Sequence, residues 1–152
     1  MQTIAVGTVK GGFVAQRGAG GEWKLEGPLF PGWEVGAFAR AADGAYLAGL
    51  GSSWFGPAVQ RSTDLEHWEQ VAEGPSWPDG TERALNRIWF FHRDGDTLWL
   101  GVDDAGIFRS DDHGASWQPV VGLNEHSTRH TWNAGGGGLC AHHMMTAGDR
   151  LW

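Results

Sequence analysis

The chain has 152 residues, 25 of them glycine and 10 tryptophan, with a formal net charge of −7. That length fits one domain, and an acidic balance without a basic run excludes nucleic acid and anionic membrane surfaces as partners. No apolar run is long enough to span a bilayer, and the N-terminal MQTIAVGTVKGG lacks the apolar core of a signal peptide. The lone cysteine, Cys140, cannot form an internal disulfide, so a reducing, cytoplasmic location is the expectation, with Cys140 a small buried residue on a strand.

Taken in order, the chain reads as short β-strands separated by glycine-rich turns, with no sustained helical periodicity. IAVG (4–7), GFVAQRG (12–18) and WKLEG (23–27) come first. Inner strands are expected at Glu34–Arg40, Arg87–His92 and Leu139–Met145. YLAG (46–49) and LWLG (98–101) match IAVG, AVQRS (58–62) and GIFRS (106–110) match the second stretch, and WEQV (68–71) and WQPV (117–120) match the third. The aligned residues Gly7, Gly49 and Gly101, and likewise Trp23, Trp68 and Trp117, recur at intervals of roughly 40–50 residues, the length of a four-stranded propeller blade.

The fold expected is therefore all-β: a partial β-propeller of about three to three and a half four-stranded antiparallel blades from a larger ring of about six to eight. The repeats fall at about 1–27, 34–72 and 86–121, and a further blade starts at 139–152. Asp149–Trp152 aligns with Asp96–Trp99, so the chain reads as the N-terminal half of a longer propeller or a truncated reading frame. Open blade edges are then a route to self-association.

The sharpest local pattern is S-x-D-x-G-x-x-W, formed by Ser110, Asp112, Gly114 and Trp117 in a hairpin turn. An Asp carboxylate there can accept orphaned turn N–H groups, a glycine can take a positive φ, and a tryptophan can seal the hairpin. The reading of Asp112 is thus structural. The second copy, Ser62, Asp64 and Trp68, is one residue shorter and has no turn glycine. The first, Arg17–Trp23, has no Asp and relies on its glycines.

Ser110, Asp112, Gly114 and Trp117 resemble the Asp-box, or BNR repeat, of sialidase-like β-propellers. The phrases EGPLFPGW (26–33), WFGPAVQRSTD (54–64), RIWFFH (87–92), IFRSDD (107–112) and GGLCAHH (137–143) look like a bacterial group labelled sialidase-like or glycosyl-hydrolase-like, across essentially the whole chain. The resemblance implies carbohydrate recognition or glycoside hydrolysis in a complete protein. The family's sialidases use an arginine triad, a Tyr–Glu nucleophile pair, an Asp acid/base and an Arg-Ile-Pro motif. Here Arg87-Ile88 continues to Trp89, and the only tyrosine, Tyr46, sits in a blade strand. No catalytic residue is assigned, and the chain by itself is expected to be inactive.

Strand winding puts the Asp-boxes at one end of the blades. Loops 9–12, 51–57, 103–105, 26–34, 73–87 and 122–138 lie at the other, channel end. The ligand-binding candidates there are Trp33, Trp54, Arg87, Asp103, Arg129, His130 and Trp132. Trp77, Arg83, His126 and the carboxylates Asp79, Glu82 and Asp104 lie within reach. Rings stack on sugar C–H faces, and a guanidinium grips a carboxylate with two parallel bonds. His126 and His130 are too few for a metal site, and the 135–138 glycine run precedes a strand, so it reads as a hinge and not a phosphate loop. No cofactor or metal is expected. Expected partners are a glycan or small molecule at the channel face, or a protein or second copy at the open edges. The competing readings are a non-catalytic scaffold for protein assembly and an inactive fragment.

Overall fold

A computed structural model describes residues 1–52 and 54–152. Ser53, inside the expected channel loop 51–57, lies outside them. The described chain is all-β, built from antiparallel sheets of three and four strands in simple meander order. Sheet one holds β1 (Gln2–Thr8), β2 (Gly11–Arg17) and β3 (Trp23–Leu29). Sheet two holds β4 (Glu34–Arg40), β5 (Tyr46–Gly51), β6 (Ala58–Ser62) and β7 (Glu69–Gln70). Sheet three holds β8 (Ile88–Asp94), β9 (Thr97–Val102), β10 (Gly106–Ser110) and β11 (Gln118–Pro119). A short hairpin of β12 (Thr146–Ala147) and β13 (Arg150–Leu151) follows.

The hydrophobic core lies between sheets. Leu47, Val59 and Val71 of sheet two meet Ile88, Leu98, Leu100, Phe108 and Trp117 of sheet three. On the other side of sheet two, Val35, Ala48, Leu50 and Ala58 pack with Phe30, Phe38 and Trp68. The inner strands follow each other closely, β4 against β1 and β8 against β4. This packing explains the recurrent glycines. A Cβ at Gly7 would collide with the Val35 carbonyl, one at Gly49 with the Ile88 side chain, and one at Gly101 with Phe90 and the Ala141 carbonyl.

The Ser–Asp turns fold by local hydrogen bonding. Asp112 accepts from the Ser116 amide at 2.9 Å, the Ser116 hydroxyl at 2.6 Å and the Ser110 hydroxyl at 2.7 Å. The Ser110 hydroxyl oxygen accepts from the Gly114 amide at 2.9 Å. Gly114 has φ 86°, and any Cβ there would press on Leu47. In the second turn Asp64 accepts from the Glu66 and His67 amides, both at 2.8 Å. Buried Leu65, the residue after Asp64, takes a positive φ of 71°, as His113, the residue after Asp112, does at 60°. The first turn closes through Gly21, whose amide donates to the Gly18 carbonyl.

Three expectations need correction. Leu139–Met145 is not a regular strand: Asp104 N–H donates to the Leu139 carbonyl and Ala141 N–H to the Val102 carbonyl, and regular pairing starts only at Thr146. A strand needs a ladder partner, and the 139–141 backbone bonds instead to the end of β9 and the turn after it. Cys140 is half-buried and bridges to Asp103, outside any strand. The 135–138 glycines form a closed turn, with Gly138 N–H donating to the Gly135 carbonyl. Within 121–138 there are also two short helical pieces, α1 (Val121–Asn124) and a 3₁₀ turn at Arg129–Thr131. Neither is long enough to leave a periodic signal in sequence. No helix of the described residues is long and apolar enough to cross a membrane.

Candidate functional site

Both four-stranded sheets carry a β-bulge at matching places near the start of the inner strand: between Val35 and Ala37 in β4, and between Ile88 and Phe90 in β8. A bulge turns one side chain out of the alternating pattern. In β8 that residue is Trp89. Its indole N–H donates to Asp103 Oδ1 at 2.6 Å, and the Arg87 guanidinium lies over its ring, 4.6 Å from the centroid. Arg87 Nη2 in turn donates to Glu34 Oε2 at 2.9 Å. Glu34, Arg87, Trp89 and Asp103 thus form one connected row, running from the start of β4 past the start of β8 to the end of β9.

The row forms part of the wall of an open cleft of about 730 Å³, together with Val9, Ser52, Trp54, Asn86 and Gly137. Its lining comes from the loops after β1, β5 and β9, from the segments leading into β4 and β8 and from the 135–138 turn. Trp54 is 87 % exposed. The backbone beneath it is held by the Ser52 hydroxyl, which accepts from the Trp54 and Phe55 amides, both at 3.2 Å. The cleft combines a bare aromatic platform, a guanidinium partly neutralised by a carboxylate, and a second carboxylate held by an indole. These are hydrogen-bonding and stacking groups.

Of the residues singled out in sequence, Trp54, Arg87 and Asp103 line this cleft. Trp33 lies tilted against Phe55 with ring centroids 5.8 Å apart and packs on the core of sheet two. Arg129, His130 and Trp132 belong to a separate cluster around Asp104. Arg129 pairs with the Asp104 carboxylate at 2.9 Å, bonds the Asp104 and Ala105 carbonyls, and lies 5.0 Å from the Trp132 ring centroid. Arg83 grips the same carboxylate at 2.5 Å, donates to the Asn124 carbonyl and covers the Trp77 ring at 3.5 Å. Asp104 and Ala105 have positive φ, 57° and 46°. The two arginines pin this turn to the 73–87 and 122–138 loops, which is a structural task. His130 bonds the Ser127 carbonyl, and His126 bonds Thr128 and stacks on Trp132. Among the described residues no three His, Cys, Asp or Glu side chains gather as metal ligands. Asp79 and Glu82 lie exposed on the 73–87 loop.

Sequence reasoning missed Glu34 and Trp89. A usable signal exists for Glu34: it stands one residue before Val35, as Arg87 stands before Ile88, so the repeat puts both at the same level. Trp89 carries none, because a bulge leaves no mark in a tryptophan-rich strand.

The titratable groups held away from their ordinary values are in the turns. Asp64 is held well below the usual carboxylate range, first by the His67 amide, then by the His67 ring and the Glu66 amide. For Asp112, burial pushes upward, but bonds from the Ser116 hydroxyl and amide, the Ser110 hydroxyl and the Ala115 amide outweigh it and the net shift is down. Shifts of this origin mark turn-forming carboxylates, not acid–base catalysts.

No protein-family model matches the chain, and no curated protein matches it.

Proposed function

We propose that the chain is part of an Asp-box β-propeller of the sialidase-like group and that its channel-end cleft recognises a carbohydrate. The observation that carries the reading is the meeting of the Glu34–Arg87–Trp89–Asp103 row with exposed Trp54 in one open cleft. Stacked meanders, glycines at each inter-sheet approach and Ser–Asp turns at the far end support the propeller part. Trp54 offers a face for sugar C–H groups, while Glu34 and Asp103 offer acceptors for hydroxyls. Glu34 already engages Arg87, so an acidic sugar would have to displace it. Neutral sugars are the better match.

A glycan array read with the intact chain and with Trp54→Ala tests this. Binding of neutral glycans by the intact chain, reduced about tenfold or more in Trp54→Ala at unchanged thermal stability, is the expected outcome. Absence of any glycan binding, or binding indifferent to Trp54, overturns it. No turnover of a fluorogenic sialoside is expected from this chain. The alternative is a non-catalytic scaffold that assembles with protein, favoured by the uncovered apolar side of sheet one.

A further inference from the structure

Among the described residues, three carboxylates are half-buried: Glu34, Asp103 and Asp104. Two of them have cations. Glu34 takes Arg87 Nη2 at 2.9 Å, and Asp104 takes Arg83 Nε at 2.5 Å and Arg129 Nη2 at 2.9 Å. Asp103 has no cation among the described residues. Its Oδ1 accepts the Trp89 indole N–H at 2.6 Å, a neutral donor, and no described donor reaches Oδ2.

That contrast has a chemical consequence. A half-buried carboxylate has shed part of its water, and it gains most from a positively charged donor. Arg87, the only basic side chain among the described residues lining the cleft, is already committed to Glu34 and to the face of Trp89. One guanidinium against the two carboxylates Glu34 and Asp103 leaves one negative charge over in the wall. The field of the whole chain, at a net charge of −7, has the same sign. Asp103 is also held in place. On one side of it the Val102 carbonyl accepts from Ala141 N–H, and on the other Asp104 N–H donates to the Leu139 carbonyl. Its carboxylate is therefore presented by a backbone tied at both ends. Trp54, 87 % exposed, lines the same cleft, and an aromatic face attracts an ammonium group as well as sugar C–H groups.

We propose that the sugar recognised by the cleft carries a protonated amine, which donates to Asp103 Oδ2 while the sugar ring lies on Trp54. This deepens the carbohydrate reading and rests on it. The ammonium replaces the cation that Glu34 and Asp104 obtain from within the chain. N-acetylation removes that charge and leaves a neutral amide, whose hydrogen bond to a carboxylate is the weaker kind. A sugar bearing a carboxylate meets the surplus negative charge as a like charge.

Titration calorimetry with a β-linked glucosamine disaccharide, its fully N-acetylated counterpart and a plain diamine tests the assignment. The diamine matches the charge of the amino disaccharide and lacks its rings. At low ionic strength the amino disaccharide should bind the intact chain about tenfold or more tighter than the acetylated one, and about tenfold or more tighter than the diamine. In Asp103→Asn, which keeps an oxygen acceptor for the Trp89 indole, the ratio between the two disaccharides should fall to about one, with folding checked by circular dichroism. A second measurement needs no variant: raising ionic strength from about 0.01 M to about 1 M should shrink the same ratio in the intact chain. Equal or tighter binding of the acetylated disaccharide overturns the inference and leaves carbohydrate recognition standing. Binding of neither disaccharide also overturns it, and the glycan array then decides the carbohydrate reading separately. A ratio indifferent to salt, a ratio unchanged in folded Asp103→Asn, or a diamine bound as tightly as the amino disaccharide overturns it as well.

Discussion

Sheets one and three are made from the same repeat, yet they live in different surroundings. Leu98 and Leu100 of β9 are sealed against Leu47 and Val59, while Ile4 and Val6 of β1 face outward, with the same alternation and the same glycine one position on. Trp117 sits in the inter-sheet core with its ring centroid 5.8 Å from that of Phe91, and Trp23 lies at the surface with the Arg17 guanidinium 6.0 Å from its ring centroid. The pattern along a strand says which residues share a face. Whether that face is dry depends on a neighbour supplied from elsewhere.

The comparison can be broken by paired substitutions. Trp117→Ala should cost about 3–5 kcal/mol in urea unfolding, and Trp23→Ala about 1 kcal/mol or less. Equal losses would mean that sheet one is as well packed as sheet three. Leu100→Ala should cost about 2–5 kcal/mol against about 0.5 kcal/mol for Val6→Ala. Asp112→Ala should cost about 1–3 kcal/mol, because the Ser116 and Ser110 groups lose their acceptor. It should leave glycan binding untouched, since the turn lies at the end away from the cleft. A binding defect at full stability would reassign Asp112.

The smallest effect is that of acid. Asp64 and Asp112 have folded values below 3.8, the ordinary carboxylate value, so the unfolded chain takes up protons first as pH falls. Their contribution is complete above that value and is lost as pH drops through the depressed folded ones. The melting temperature should therefore fall as pH is lowered from about 4 to about 2, and Asp64→Asn with Asp112→Asn should flatten the slope. His67 works in the opposite direction: its bond to Asp64 raises its value above 6.5, so its small contribution is present below 6.5 and fades as pH rises through the raised value.

Much of the fold could be read from the chain because the relevant chemistry is local. A Ser two residues before an Asp, a turn glycine and a following tryptophan make a hairpin with bonds spanning at most four positions. The recurrence of Gly7, Gly49 and Gly101 marked places where another strand passes close, although only the folded molecule says which carbonyl or side chain is there. Leu65 was illegible, since nothing in a leucine announces a positive φ. The site was half legible. Arg87 and Asp103 stood out as charges at strand ends, but the Arg87 partner is Glu34, 53 positions away, and Trp89 reaches the cleft only through a bulge. Arg129 looked like a free cation in a loop, and Asp104, 25 positions back, engages it.

The amino-acid order alone determined strand alternation, turn chemistry and the spacing of the repeat, because each rests on bonds and sterics within a few residues. Tertiary structure decided which charges cancel, which tryptophans are dry and which faces stay bare. Those outcomes depend on what another segment brings within a few ångströms, and proximity of that kind is set only when sheets stack.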